Sequence, residues 1–126
     1  MNVCIKVIPH SEQKYPTCGD WRYDADGTLQ IRISKLGNWR YEMLVAVHEL
    51  VEVLICKHRG ISVKAVDRFD IAYEKNRKPS DESEPGDEPS APYVNEHCAA
   101  TGVERILAML LGVKWKRYEE AINRLP

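Results

Sequence analysis

The stretch MLVAVHELVEVL, residues 43–54, places one histidine and two glutamates inside an otherwise apolar run. Apolar residues would lie on nearly every side of a helix with this sequence, which predicts a buried helix rather than a surface one. Charged side chains are almost never fully buried unless something pairs with them. His48, Glu49 and Glu52 therefore need partners elsewhere in the fold. A bound cation and an internal arginine both remain open as that partner.

Length and composition bound the class of protein. A chain of 126 residues predicts one domain, 1–126, with a single modest core. The formal net charge of -1 argues against a nucleic-acid-binding surface, which usually carries a basic excess. The sequence contains neither a signal-peptide pattern nor an apolar run long enough to span a membrane. The four scattered cysteines form no C-x-x-C pair. We therefore expect reduced thiols and a cytoplasmic protein without nucleic-acid or membrane partners.

The N-terminal third of the chain carries strand patterns. VCIKVI (3–8) is rich in β-branched residues and predicts a short strand. WRYDADGTLQIRIS (21–34) predicts a hairpin, because DADG is turn chemistry between two alternating segments. We expect these strands to form a small antiparallel sheet with one apolar face.

Helix signals follow the strands. Asn38 is the expected N-cap of a helix that ends near Arg59, before Gly60. Further helices are expected over about 62–75, from near Pro92 or Asn95 to about 111, and over 114–125. The predicted class is α+β, with the small sheet packed on the helix of residues 43–54 and further helices after it.

The segment NRKPSDESEPGDEPSAP, residues 76–92, interrupts the helices. It contains four prolines and five acidic residues, a composition that cannot bury apolar surface. We expect a flexible, solvated loop whose central residues, 78–90, carry no chemistry.

Two groups of residues suggest metal ligands. His48 and Glu52 are one helical turn apart and share a face, whereas Glu49 projects about 100° away. A third ligand could come from the helix that begins with YVNEHCAA. On a helical wheel Glu96 falls inside the apolar arc, and His97 lies on its flank. Both residues remain candidates.

These motifs resemble the zincin metallopeptidases. In that family a strand at the edge of the sheet precedes a helix with an H-E-x-x-H motif, as DGTLQIRIS precedes MLVAVHELVEVL here. NEHCAA is similar to the N-E-x-x-A/S motif of the gluzincin branch. The resemblance covers residues 21–58 and 93–108 and implies His48 and Glu96 as ligands, with Glu49 as the general base. The chain also resembles small proteins of unknown function that phages and prophages encode.

One position departs from the zincin motif, because Glu52 replaces the second histidine and gives H-E-x-x-E. A second carboxylate shifts the preference from Zn²⁺ toward Mn²⁺, Fe²⁺ or Mg²⁺. The sequence therefore suggests a metal-dependent hydrolase acting on a small or peptide substrate. A non-catalytic zincin-like binding module with a structural or relic metal site is the alternative. An all-α nucleotide pyrophosphohydrolase fits less well, and a homo-oligomer remains open.

Overall fold

A three-stranded sheet opens the fold, and four α-helices follow it. The computed structural model describes all residues, 1–126. The strands are β1 (Val3–Ile8), β2 (Gly19–Tyr23) and β3 (Leu29–Ser34). The helices are α1 (Trp39–Arg59), α2 (Val63–Lys75), α3 (Val94–Leu110) and α4 (Trp115–Asn123). The predicted α+β class is confirmed, and the sheet excludes the all-α pyrophosphohydrolase fold.

The strand order is β1-β3-β2, so β3 is central. β2 and β3 form the expected antiparallel hairpin, but β1 runs parallel to β3. The sheet is therefore mixed, and the expectation of a purely antiparallel sheet was wrong for β1. The central position also differs from the edge position that the zincin resemblance implies for the strand before α1. β3 takes the centre because its Leu29, Ile31 and Ile33 are fully buried. On β1, in contrast, Val3, Ile5 and Val7 are about two-fifths exposed.

Helix α1 has the predicted boundaries. The side chain of Asn38 accepts hydrogen bonds from the backbone N–H groups of Arg40 and Tyr41, which caps the first turn. Gly60 ends the helix in the left-handed region, at φ 74°. Between these ends, Leu44 and Val53 are fully buried against the sheet. Leu44, Val45, Ala46 and Val53 of the opening stretch thus belong to the core, but Leu54 is 45% exposed, so α1 is not buried on every side as the sequence predicted.

Helix α3 packs along α1, and α4 follows it with Tyr118 buried. The segment 76–92 joins α2 to α3 without regular structure, apart from one 3₁₀ turn at Pro85–Asp87. Gly86 in this turn is buried. The segment is thus irregular, as expected, but part of it packs against the domain; its mobility stays a prediction.

All four cysteines are free thiols, in agreement with the absence of a C-x-x-C pair. None of the helices combines the length and the apolar character that crossing a bilayer requires.

Candidate metal centre

Three buried side chains from two helices meet beside a cavity. Nε2 of His48 lies 3.2 Å from Oε2 of Glu52 and 3.1 Å from Nδ1 of His97. Nδ1 of His97 lies 3.0 Å from the same oxygen of Glu52. The three residues are 4–7% exposed. This group, His48, Glu52 and His97, is called the metal triad below.

The helices fix the triad because α1 supplies two of its members and α3 the third. His48 and Glu52 are one turn apart on α1, so their side chains point to the same side. His97 lies in the first turn of α3, which packs against α1. Two packed helices therefore carry all three side chains.

The spacing of the three atoms suits one bound cation. Nitrogen and oxygen ligands lie about 2.0–2.2 Å from a zinc ion, which in a tetrahedral site separates neighbouring ligand atoms by about 3.3–3.6 Å. The observed separations of 3.0–3.2 Å are slightly shorter, so a small outward movement of the side chains would admit the ion. Two imidazoles and one carboxylate are also a donor set that zinc accepts. The residues present therefore fit a divalent metal ion.

Glu104 and Tyr118 fix the His48 ring through Nδ1, the nitrogen that does not face Glu52 and His97. Nδ1 of His48 lies 2.8 Å from Oε1 of Glu104, and the hydroxyl of Tyr118 donates to Oε2 of the same carboxylate. When Nδ1 carries the proton and donates it to Glu104, the lone pair of Nε2 points at the triad. Metal-binding histidines usually have such a carboxylate partner on the other ring nitrogen.

The other two members of the triad are also held. Nε1 of Trp21, on β2, donates to Oε1 of Glu52 at 3.3 Å. Oε2 of Glu84 lies 3.0 Å from Nε2 of His97, an ion-pair distance, although the two groups are not aligned for a hydrogen bond. A Cβ atom on Gly86 would lie 2.4 Å from Cγ of His97, so only glycine lets the 3₁₀ turn approach this ring. The triad is thus fixed from three elements.

Glu96 does not join the triad. Its Oε2 accepts a hydrogen bond from Nη1 of Arg59 at 3.0 Å, and its side chain is buried in that ion pair. The structure therefore brings one of the two candidates on α3, His97, to His48 and Glu52. It pairs the other, Glu96, with the C-terminal turn of α1.

Glu49 lines the same cavity as the triad without a hydrogen bond to another side chain. Its Cγ would lie 2.9 Å from a Cβ atom on Gly19, so the absence of a side chain at the start of β2 leaves room for it. Burial, and next the charge of Glu52, raise the pKa of Glu49 well above its ordinary value. A buried carboxyl group of this kind holds its proton more tightly than one in water.

The triad itself has shifted pKa values in the absence of a cation. Burial alone would lower the pKa of His48, but hydrogen bonds to Glu104 and Glu52 raise it well above its ordinary value. For His97, burial is likewise outweighed by Glu52 and Glu84, and the pKa rises to about 10. Burial opposes ionisation of Glu52, yet the two histidines lower its pKa to about 2. A cation must displace the protons that the imidazoles hold, so its affinity should rise with pH.

The cavity beside the triad has a volume of about 410 Å³. His48, Glu49, Glu52 and His97 all contribute to its wall. A metal ion held by these three residues would keep coordination positions open, as in catalytic rather than structural zinc sites. The cavity gives a ligand room to reach those positions.

Glu104 and Tyr118 support the triad, but no role for either residue was expected from the sequence. The spacing of His97 and Glu104 indicates that both could face the same site, because residues seven apart return to the same helix face after two turns. No sequence pattern indicates the roles of Trp21 and Gly86, since their contacts with Glu52 and His97 join segments that are distant in the chain.

Comparison of the chain with protein-family models, curated proteins and solved structures gives no match.

Proposed function

We propose that this chain is a metal-dependent hydrolase of peptide or amide bonds, active in the cytoplasm, with His48, Glu52 and His97 as its metal ligands. One observation carries the proposal: three buried ligand atoms, 3.0–3.2 Å apart, converge on the wall of a cavity that Glu49 also lines. Membership of the zincin superfamily remains part of this proposal, on the strength of the H-E-x-x-E motif. A phage or prophage origin of this chain is likewise part of the proposal.

The donor set favours zinc. The sequence left a more carboxylate-rich site open, with Glu96 as the third ligand and Mn²⁺, Fe²⁺ or Mg²⁺ as alternatives. With His97 in that position, the set is two imidazoles and one carboxylate, as in hydrolytic zinc sites. The softer nitrogen ligands and the single negative charge both suit Zn²⁺ better than Mg²⁺.

The remaining roles follow from position. A bound Zn²⁺ acts as a Lewis acid and lowers the pKa of water toward neutrality. Glu49, next to His48 on α1 and free of hydrogen bonds, is the residue that takes the proton from the attacking water. It would then pass that proton to the leaving amine.

The metal content of the protein tests the first part of the proposal. We would purify the untagged chain and measure bound metal by plasma mass spectrometry, beside His48→Gln, Glu52→Gln and the control His58→Gln. His58 is an exposed histidine on the same helix. We expect about one transition metal per chain in the wild type and in His58→Gln, and a large loss in the other two. No metal in the wild type would favour the non-catalytic binding module.

Hydrolysis tests the second part. A library of internally quenched peptides and aryl amides, incubated with the zinc-loaded protein, would report cleavage. Glu49→Gln should keep its zinc and lose about 10²–10⁴-fold in rate, because a positioned general base contributes that much. Glu120→Gln, an exposed change of the same kind on α4, serves as the control. A metal-loaded wild type that cleaves nothing, or an unchanged rate in Glu49→Gln, would contradict the assigned mechanism.

A further inference from the structure

One side of helix α3 is apolar and faces solvent. Val103, Ile106 and Leu110 are 42%, 59% and 74% exposed, and Ala99 is exposed as well. These four residues follow one another at intervals of four, three and four positions, so they form a single row along the helix. The row is called the apolar seam below. Alternating intervals of three and four positions are the pattern with which two helices pack along their length.

No charged side chain lies in the apolar seam. Glu96 and Glu104, the acidic residues of α3, are both buried. Arg105 is the only basic residue of the helix apart from its histidine, and its guanidinium lies over the ring of Trp115 on α4. Single exposed apolar side chains are common, but a contiguous row of them without charges marks an interaction surface.

Helices α1 and α3 lie side by side and antiparallel. His48, in the middle of α1, contacts Glu104 in the second half of α3, and Arg59, the last residue of α1, contacts Glu96 near the start of α3. Both helices turn their members of the metal triad toward the cavity. Their other sides therefore lie on one common surface, away from the cavity.

On this surface α1 is apolar too. Val47 is half-buried and Leu54 is 45% exposed, and the two residues lie two turns apart on one side of the helix. The acidic residues of this part of α1, Glu49 and Glu52, line the cavity instead. The two helices thus present a face ~25 Å long and ~20 Å wide, with a projected area on the order of 500 Å². This area approaches the roughly 600–1,000 Å² that each partner buries in a standard interface.

The apolar seam is complementary to itself. When two seams pair antiparallel about a two-fold axis, Ala99 faces Leu110 of the second copy and Val103 faces Ile106, because both pairs have the same midpoint in the sequence. The smallest side chain of the row then meets a long one. A parallel pair would place Ala99 on Ala99 and Leu110 on Leu110, which leaves a gap at one end and crowding at the other. A two-fold interface requires this kind of self-complementarity.

We propose that a second copy of this chain binds to the apolar seam, so that the α1–α3 pairs of two protomers form a four-helix bundle. The seams run antiparallel at the centre of the interface, and Val47 and Leu54 of each copy extend the contact to α1. The metal triad faces the other way, so dimerisation leaves the cavity open. The inference goes beyond the proposed function and does not depend on it.

The mass of the protein in solution tests the dimer. Analytical ultracentrifugation over a range of concentrations should give a dimer for the wild type. Val103→Arg and Ile106→Arg should each weaken the dimer at least about tenfold, because each puts an unpaired charge into the contact. The matched control is Ile71→Arg on α2, where the isoleucine is 51% exposed outside the seam, and it should remain a dimer. Circular dichroism of each variant shows that it is folded.

Disulfide trapping tests the antiparallel register. Ala99→Cys and Leu110→Cys would be prepared as separate proteins in a Cys98→Ser background, mixed and oxidised. We expect the disulfide between the two different variants to form in preference to either symmetric one. Two copies of position 99 lie ~16 Å apart along the helix in the antiparallel arrangement, which is too far for a bond.

The outcomes separate this inference from the proposed function. A wild type that stays monomeric, or a dimer that Val103→Arg and Ile106→Arg both leave intact, would overturn the assigned interface. Preferential symmetric disulfides would overturn its antiparallel register. Zinc uptake by folded, monomeric Ile106→Arg should equal that of the wild type, and a loss there would show that the seam and the triad are not separate. A dimer that takes up no metal would leave the interface standing while the hydrolase proposal fails.

Discussion

Nδ1 of His48 lies 2.8 Å from Oε1 of Glu104, and both residues are buried. They are 56 positions apart in the chain and come from different helices. The hydroxyl of Tyr118 donates to the other oxygen of Glu104. This hydrogen-bonded relay from α4 through α3 to α1 fixes which nitrogen of His48 faces Glu52 and His97. We therefore expect Glu104 and Tyr118 to affect metal affinity, although neither belongs to the triad.

Removing the relay should weaken metal binding. Glu104→Gln removes the charge that favours the Nδ1–H form of His48, and partners of this kind typically contribute 10–100-fold in metal affinity. Tyr118→Phe should have a smaller effect in the same direction, because the carboxylate remains. Zinc titration against a competing chelator measures both, with Glu120→Gln as the control. Wild-type affinity in Glu104→Gln would show that the contact is only structural.

The two neighbouring residues on α3 should behave differently. His97→Gln removes a triad nitrogen and should abolish most zinc binding. Glu96→Gln breaks an ion pair with Arg59 and should keep zinc binding, with some loss of stability. The measurement is the rise in melting temperature on adding zinc, since a ligand stabilises the folded state by mass action. If Glu96→Gln lost that rise and His97→Gln kept it, Glu96 would be the third ligand, as the gluzincin resemblance implies.

Two glycines offer a matched pair of alanine substitutions. At Gly86 a Cβ atom would lie 2.5 Å from Nδ1 of His97, whereas at Gly102 on α3 nothing lies within 4 Å. Gly86→Ala should lower the free energy of unfolding by about 1–3 kcal/mol and weaken zinc binding, because the ring or the turn must move. Gly102→Ala should raise it by about 0.5–1 kcal/mol through helix propensity. Urea unfolding measures both changes, and a harmless Gly86→Ala would contradict the close packing of the 3₁₀ turn on His97.

Asp70 should make stability depend on pH. Burial raises its pKa from an ordinary value of 3.8 to about 6, despite the tyrosine hydrogen bonds that oppose the shift. The folded state therefore holds the proton more tightly than the unfolded state. The resulting stabilisation is fully present below pH 4, and it is lost as the pH rises through 6. A shift of this size corresponds to about 3 kcal/mol.

Urea unfolding of metal-free protein between pH 4 and pH 7 tests this dependence. The difference in the free energy of unfolding between the wild type and Asp70→Asn should change with pH. The free energy of unfolding of Glu120→Gln should follow that of the wild type at every pH. Parallel profiles for the wild type and Asp70→Asn would show that Asp70 has the same pKa in the folded and unfolded states.

The sequence by itself determined the local elements. The DADG turn between alternating segments gave the β2–β3 hairpin, and Asn38 and Gly60 gave the ends of α1, because capping and turn geometry depend on neighbouring residues. The four-residue spacing of His48 and Glu52 also placed them on one face of α1. Each of these features needs only the few residues that form it.

Only the tertiary structure decided which residues complete the site. His97 and Glu96 are adjacent, and a rotation of about 100° between them sends one side chain to the triad and the other to Arg59. That choice depends on how α3 is rotated against α1, which no local pattern specifies. The parallel pairing of β1, the contact of Trp21 with Glu52, and the packing of Gly86 on His97 likewise join segments that are distant in the chain. Such contacts arise from the packing of the whole core, so the fold had to be known before the site could be assembled.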